Sequence, residues 1–218
     1  MEEKTYYIFV DGACTNNNLK DTTKRRAGYG IFLDDGKEVI PGCAESVPCE
    51  ADVDRQLPER EKCFFISEKL AHSDLYPPTN NRAEILAAVR ALELLLSNRF
   101  PIPLKAHVVF INDSKYVHSA VTDWLPRLWR PNNYCKSDGA EVLNVDLIRR
   151  LDSAVLRLDA EQSYRVEWRR VNSHQEEPKD RTSAAWKNWY GNDRADRLAN
   201  LACGRNQFQS KKRKATEK

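Results

Sequence analysis

Two short apolar runs each lead into an aspartate, and this limits the folds open to the chain. Residues 6–10 precede Asp11, and residues 107–111 precede Asp113. Short runs rich in β-branched and aromatic residues are typical of buried strands. A single aspartate at a strand end is more often a turn former. Sites of open α/β sheets, however, lie outside the carboxyl ends of the strands, so the two aspartates are expected at one sheet edge.

Two further acids are predicted in the opening turns of helices. The apolar residues of 85–98 recur at i, i+3, i+4 and i+7, as on a helix with one buried face. An N-cap at Thr79 or Asn80 places Glu84 in its first or second turn. Residues 191–203 predict a last helix, with Asp196 in its opening turn.

Four clustered carboxylates would repel one another unless a cation neutralised them. Like charges in one site raise the pKa of each group. Oxygen-only ligands suit hard cations such as Mg²⁺ or Mn²⁺ rather than zinc.

The order of predicted elements indicates an α/β fold with a mixed five-stranded sheet flanked by helices. Strands are expected at 6–10, 27–33, 63–70, 107–111 and 164–171, with a hairpin turn at 34–36. Helices are expected at 85–98, 114–124, 144–158 and 191–203.

Length and charge favour one domain over residues 1–204 of the 218-residue chain. It carries an acidic surface insertion at 42–62 and an extended loop at 175–190, with Trp186, Trp189 and Tyr190 as a lid over the last helix. Residues 205–218, with six Lys or Arg and one acid, are expected to form a basic, disordered tail. Because the whole chain nets only +3, the body is slightly acidic, and nucleic acid would have to bind through local patches.

Cysteine usage and the amino terminus predict a reduced compartment. The six cysteines include no C-x-x-C pair. The sequence begins with acidic residues, without the apolar core of a signal peptide, and no apolar run approaches the roughly 20 residues that span a bilayer. We expect an intracellular protein of the nucleus or cytoplasm, without membrane contact. The basic run at 211–214 fits a nuclear localisation signal, a nonspecific phosphate contact or a solvated tail.

Four segments, in this order, resemble the motifs of type 1 ribonuclease H: VDGAC (10–14), TNNRAEI (79–85), NDSKYV (112–117) and GNDRADRLA (191–199). The resemblance implies the ribonuclease H-like fold and hydrolysis of the RNA strand of RNA–DNA hybrids, with 5′-phosphate and 3′-hydroxyl products. It also implies two Mg²⁺ ions, replaceable by Mn²⁺, that clamp an in-line displacement. The implied metal ligands are Asp11, Glu84, Asp113 and Asp196, and His174 matches a histidine that aids proton transfer or product release.

The same resemblance implies the substrate contacts. Minor-groove contacts, which read the 2′-hydroxyl that distinguishes RNA from DNA, match Gly12, Ala13, Cys14, Asn17, Asn80 and Asn81. Thr79 and Asn144 match a pocket for a DNA phosphate. Residues 124–136 resemble a basic protrusion that grips the DNA strand, with Trp129 and Tyr134 as its aromatic contacts.

Two other functions remain open for such a sequence. One is a catalytically silent domain that binds hybrids or acts as a scaffold on the same fold. The other is a different nuclease or strand transferase of the superfamily. The intact set of four acids favours the enzyme, and Asn17, Asn80 and Asn81 favour a hybrid substrate. The expected partner is an RNA–DNA hybrid, and the expected state is a monomer.

Overall fold

The fold, in a computed structural model describing residues 4–34, 65–73, 75–173 and 175–205, is built on a five-stranded sheet. Its order is β3-β2-β1-β4-β5. The first three strands in the chain pair antiparallel, whereas β4 pairs parallel with both β1 and β5. The predicted mixed sheet flanked by helices is confirmed. The strands are β1 (Thr5–Thr15), β2 (Arg26–Asp34), β3 (Phe65–Lys69), β4 (His107–Asn112) and β5 (Arg165–Arg170).

Helices cover both faces of this sheet. The predicted turn at 34–36, the insertion at 42–62, His174 and the tail beyond Arg205 lie wholly or partly outside the described residues. The helices are α1 (Asn80–Leu96), α2 (Lys115–Ser119), a π-helical segment (Ala120–Trp129) that continues α2, α3 (Val145–Glu161) and α4 (Ala184–Ala202).

The core has two layers because strand side chains alternate between faces. On one face, Ile8, Val108 and Phe110 pack with α1 and α3. On the other, Phe9 and Ile111 pack with α4. Burying both faces explains why the strands contain continuous apolar runs.

Strand β1 is longer than its apolar run predicts. It continues through Asp11 to Thr15, because β2 pairs with it along this whole length, from Asp11 beside Gly30 to Thr15 beside Arg26. Asp11 therefore lies within a paired strand and not at its end. Asp113, by contrast, follows the last residue of β4, as predicted.

Helix α4 begins seven residues before the predicted start at Gly191. Ser183 caps it by accepting a hydrogen bond from the backbone N–H of Trp186 at 3.1 Å. The rings of Trp186 and Tyr190 stack within the first two turns, 4.9 Å apart. The prediction of a loop to residue 190 with an aromatic lid is thus wrong: Trp186 and Tyr190 are buried residues of the helix, and Trp189 beside them is half-buried.

The helix predicted at 114–124 also ends elsewhere. After α2 the backbone continues as a π-helix to Trp129, around Pro126, which has no N–H to donate. The rings of Trp124 and Trp129 lie 5.1 Å apart and both approach Tyr116.

Among the described helices, none has the length and apolar character needed to cross a membrane.

Candidate active site

The four predicted metal ligands lie around one cavity of about 450 Å³ at the edge of the sheet. The parallel pairing of β1 and β4 sets Phe9 opposite Ile111. Asp11 and Asp113, each two residues further on, are therefore at the same level. Helices α1 and α4 bring the other two carboxylates to this edge. The cavity is lined by Asp11, Gly12, Ala13, Asn80, Asn81, Glu84, Asp113, Ser114, Lys115, Tyr116, Ser173, Asp196, Asn200 and Arg205.

Asp11 is the most buried of the four acids, with 8% of its surface exposed. Burial raises its pKa well above the usual value, and the negative charges of Asp113, Asp196 and Glu84 raise it further. The backbone N–H of Gly12 donates a 2.7 Å hydrogen bond to its Oδ1, which acts in the opposite direction. The site therefore concentrates negative charge where solvent cannot screen it.

Glu84 is fixed through both carboxylate oxygens. Ser114 donates to Oε2 at 2.5 Å, and Asn80 donates to Oε1 at 2.7 Å. Burial raises the pKa of Glu84 to about 7, and the charge of Asp113 adds to this, while the two hydrogen bonds oppose it. The N-cap is Thr79, whose Oγ1 accepts from the N–H of Arg82, so the predicted place of Glu84 early in α1 is confirmed.

Asp196 occupies a different place from the one predicted. It lies twelve residues into α4 rather than in the opening turn. It is half-buried, and Asn200, one turn later, donates a 2.8 Å hydrogen bond to its Oδ1. The earlier helix start causes this difference, and Asp196 still lines the cavity with the other acids.

The acids fit a hard cation by donor type and by their shared cavity. All four are oxygen donors, and the raised pKa of Asp11 and of Glu84 expresses repulsion and desolvation that a bound cation would offset. In the part of the chain that the structure describes, no three Asp, Glu, His or Cys side chains are already grouped closely enough to hold a metal ion. A cation would therefore meet separate carboxylates rather than a closed cage.

Four of the six predicted minor-groove residues line this cavity, namely Gly12, Ala13, Asn80 and Asn81. The side chain of Asn17 accepts a 3.1 Å hydrogen bond from the backbone N–H of Asn80, which ties the loop after β1 to the start of α1. Asn80 and Asn81 both line the cavity, and Asn81 is exposed. Cys14 is buried, with 4% exposure, and like Asn17 it does not line the cavity.

Gly12 is needed here for a reason other than the approach of substrate. A Cβ at this position would lie 2.2 Å from the backbone nitrogen of Glu84 and 2.4 Å from the carbonyl carbon of Ala83. The missing side chain thus makes room for the backbone of α1. The minor-groove role of Gly12 stays a prediction.

Thr79 and Asn144, predicted to form a phosphate pocket, stand beside the joint between α1 and α3. Arg82 donates to both oxygens of Asp146, at 2.8 and 2.6 Å, and this pair holds the two helix starts together. Asn144 precedes α3 in the left-handed conformation with φ of 60°. The phosphate-binding role of these residues stays a prediction.

Trp129 and Tyr134 already have partners within the protein. Trp129 is half-buried and packs against the core. The hydroxyl of Tyr134 donates a 2.6 Å hydrogen bond to the buried Asp152, and the guanidinium of Arg149 lies over its ring. Contact with a DNA strand stays a prediction for both, but any such contact would use only their remaining exposed surface.

The residues on either side of His174 border two adjoining cavities. Ser173 lines the carboxylate cavity, and Gln175 lines a neighbouring one of about 410 Å³ that shares Asp113 and Asp196. The indole of Trp189 donates to the carbonyl of Gln175 at 2.9 Å, and that of Trp186 to Glu177 at 3.1 Å. The aromatic residues of α4 therefore anchor this loop.

Six residues that line the cavity were not identified from the sequence as site residues, and three of them, Ser114, Asn200 and Arg205, belong to the hydrogen-bond networks around the acids. Ser114 caps α2, since its Oγ accepts from the N–H of Val117, and it also donates to Glu84. Asn200 follows Asp196 by four residues, a spacing that would have indicated contact on one helix face. The prediction that Arg205 begins the disordered tail is wrong: the chain turns at Gly204 and brings Arg205 to the site, and nothing in the local sequence indicated this.

The chain is similar in sequence and fold to known ribonucleases H. The RNase H family model matches residues 3–204. A ribonuclease H of Alcanivorax borkumensis is 35% identical over 197 residues, which cover 90% of each chain. One of Proteus mirabilis is 37% identical over 107 residues, which are 49% of this chain and 58% of that protein. A foamy viral protease-reverse transcriptase, solved in complex with RNA/DNA hybrid, shares the fold with a TM-score of 0.58 and 17% identity, over 92% of this chain and 20% of the viral one.

Proposed function

The chain belongs to the ribonuclease H family, and from this we propose that it is an endonuclease that hydrolyses the RNA strand of RNA–DNA hybrids. The observation that carries the proposal is the shared cavity of four carboxylates beside Asn80 and Asn81. Acidic residues alone would serve many phosphoryl-transfer reactions. Their position next to amide side chains, which can both donate to and accept from a 2′-hydroxyl, favours an RNA strand.

Asp11, Glu84, Asp113 and Asp196 would hold two divalent cations, Mg²⁺ or in its place Mn²⁺. When bound, such a pair supplies charge stabilisation for an in-line displacement at phosphorus that leaves a 5′-phosphate and a 3′-hydroxyl. The protein fixes the orientation of these acids beforehand. Asp11 is held by the N–H of Gly12, and Glu84 by Asn80 and Ser114.

Substrate discrimination is assigned to the amides on one side of the cavity. Asn17 fixes the backbone of Asn80, and Asn80 in turn holds Glu84. A 2′-hydroxyl near these groups would therefore be read by a part of the protein that also orients a metal ligand. Loss of the hydroxyl, as in a DNA strand, would remove this hydrogen-bond partner from the amides of Asn80 and Asn81, which disfavours DNA.

Cleavage of end-labelled substrates tests the proposal. An RNA–DNA hybrid, an RNA duplex and a DNA duplex of one sequence are incubated with the protein in Mg²⁺ or in EDTA. We expect cutting of the hybrid's RNA strand only, and only with metal. A protein that binds the hybrid without cutting it would instead be a silent binding domain. Equal cutting of the RNA or DNA duplex would indicate another nuclease of the superfamily.

We also propose that the protein acts as a monomer, because one chain supplies the whole carboxylate set. A mass measurement by light scattering in solution would distinguish monomer from dimer.

The basic run at 211–214 is proposed as a nuclear localisation signal, on its composition alone. Removing residues 211–218 would leave the cellular distribution unchanged if the run has no such role.

A further inference from the structure

A chain of hydrogen bonds runs along the wall of the cavity from Asp196 through Asn200 to the guanidinium group of Arg205. Asn200 is buried, with 6% exposure. Its Nδ2 donates to Oδ1 of Asp196 at 2.8 Å and to the backbone carbonyl of Asp196 at 2.9 Å. Its Oδ1 accepts from Nη1 of Arg205 at 3.2 Å. The side-chain amide of Asn200 thus has a partner for its oxygen and for both of its N–H groups.

Arg205 determines which way the amide of Asn200 faces. A guanidinium group has only donors, so it can face only the oxygen of an amide. The nitrogen of Asn200 is then directed to the carboxylate, which has only acceptors. The reverse orientation would set an amide oxygen against a carboxylate and an N–H group against a cation. With Arg205 on one side and Asp196 on the other, the side-chain amide of Asn200 therefore has one favourable orientation.

The end of α4 holds Arg205 in this place. The N–H of Arg205 bonds to the carbonyl of Asn200 at 2.9 Å, and that of Gly204 bonds to the carbonyl of Leu201 at 2.9 Å. With Gly204 at a φ of 74°, this is a Schellman cap, which turns the chain back toward the sheet. Nη2 of Arg205 also donates to the carbonyl of Cys14 at 3.1 Å. The guanidinium thus bridges α4 and β1.

We propose that Asn200 and Arg205 are positioning residues for Asp196, which set its carboxylate for a divalent cation. This inference rests on the proposed carboxylate site. Asn200 supplies uncharged donors, so it orients the carboxylate of Asp196 without placing a positive charge of its own beside it. Arg205 acts through Asn200 and joins this carboxylate to the Cys14 segment, where the substrate's minor groove is expected. Groups that orient a metal ligand in this way commonly change metal affinity about 10- to 100-fold when removed.

Calorimetric titration of the full chain with Mg²⁺, without nucleic acid, tests this proposal apart from catalysis. We expect Asn200→Ala and Arg205→Ala each to weaken Mg²⁺ binding roughly tenfold. The double variant should be no weaker than Asn200→Ala, because both changes interrupt one chain of bonds. The Mg²⁺ affinity of Arg205→Lys should lie between those of the wild type and of Arg205→Ala. An ammonium group keeps the charge but cannot form both bonds of the guanidinium in the same geometry. Arg150→Ala, which removes an exposed ion pair with Glu93, is the matched control and should bind as the wild type.

Because Arg205 is exposed, replacing it does not open a cavity in the core, and the Arg205→Ala variant is expected to fold. Wild-type Mg²⁺ affinity in folded Arg205→Ala, or additive losses in the double variant, would overturn the proposal. A wild type that binds no Mg²⁺ would overturn it together with the carboxylate site. If the wild type binds Mg²⁺ in an Asn200-dependent way but leaves hybrids uncut, the positioning role stands and the proposed function fails. If the wild type cleaves hybrids, the Asn200→Ala and Arg205→Ala variants should show a larger fold-change in kcat than in KM.

Discussion

Asn80 donates a 2.7 Å hydrogen bond from its side chain to Oε1 of Glu84, one turn further along α1. The side-chain amide of Asn80 would therefore contact both the 2′-hydroxyl of the substrate and a carboxylate of the proposed metal site. The backbone of Asn80 is held in turn by Asn17 at 3.1 Å. The proposed substrate contact and the orientation of a proposed metal ligand would thus be joined at the start of one helix.

Asn80→Ala should impair cleavage and recognition together. Hydrogen bonds to charged groups contribute about 1.5–3 kcal/mol, so we expect kcat to fall at least tenfold, with a higher KM for the hybrid. Asn81→Ala, at an exposed position lining the same cavity, should raise KM with little change in kcat. Steady-state kinetics on a hybrid measures both. Equal effects of the two changes on kcat would contradict the separate role of Asn80.

Gly12→Ala should destabilise the protein by about 3 kcal/mol or more, because overpacking against backbone cannot be relieved by a rotamer change. The new Cβ would meet the backbone of Ala83 and Glu84 at 2.2–2.4 Å. Urea unfolding measures the change in the free energy of unfolding. A loss below about 1 kcal/mol would show that α1 can move away from β1 at little cost.

The pair of Arg82 and Asp146 should make stability depend on pH. Burial raises the pKa of Asp146, but the hydrogen bonds and charge of Arg82 outweigh this, so the pKa is lowered in the fold. A lowered carboxylate pKa gives stability that is present above the unfolded value near 4 and is lost as the pH falls through the folded value. Asp146→Asn should therefore cost about 2 kcal/mol at pH 7, and this difference should shrink at acidic pH.

The matched control for this change is Glu161→Gln on the exposed pair with Arg157. Surface pairs contribute about 0–1 kcal/mol, so unfolding at pH 7 should barely change. A pH-independent loss in Asp146→Asn would mean that shape, rather than charge, holds the two helix starts together.

Asp11→Asn should stabilise the metal-free protein and abolish stabilisation by Mg²⁺. The buried carboxylate of Asp11 faces three other acids, and an amide removes that repulsion while keeping the shape. In EDTA we expect the free energy of unfolding to be higher for the variant than for the wild type. The wild type should gain melting temperature with added Mg²⁺, since a ligand bound only by the folded state stabilises it. A variant still stabilised by Mg²⁺ as strongly as the wild type would place the cation elsewhere.

The sequence predicted those parts of the site that depend on local pattern. Apolar runs located β4 and hence Asp113, and capping chemistry located Glu84 after Thr79. The start of α4 was not predicted, because polar residues alternate with Trp186 and Tyr190 and the helical stripe becomes evident only when it packs on Phe32. The length of β1 depends on pairing with β2, and the place of Arg205 depends on a turn that joins distant segments. Such tertiary contacts leave no periodic signal in one sequence.

The most direct test of the account is cleavage of an RNA–DNA hybrid by Asp113→Asn beside the wild type, in Mg²⁺ and at equal protein concentration. Asp113 follows β4 and lines the cavity with the other acids. We predict that the variant unfolds in urea like the wild type or at slightly higher concentration, and that its cleavage of the RNA strand falls at least a thousandfold. Turnover close to that of the wild type would contradict a carboxylate-based centre at this edge of the sheet.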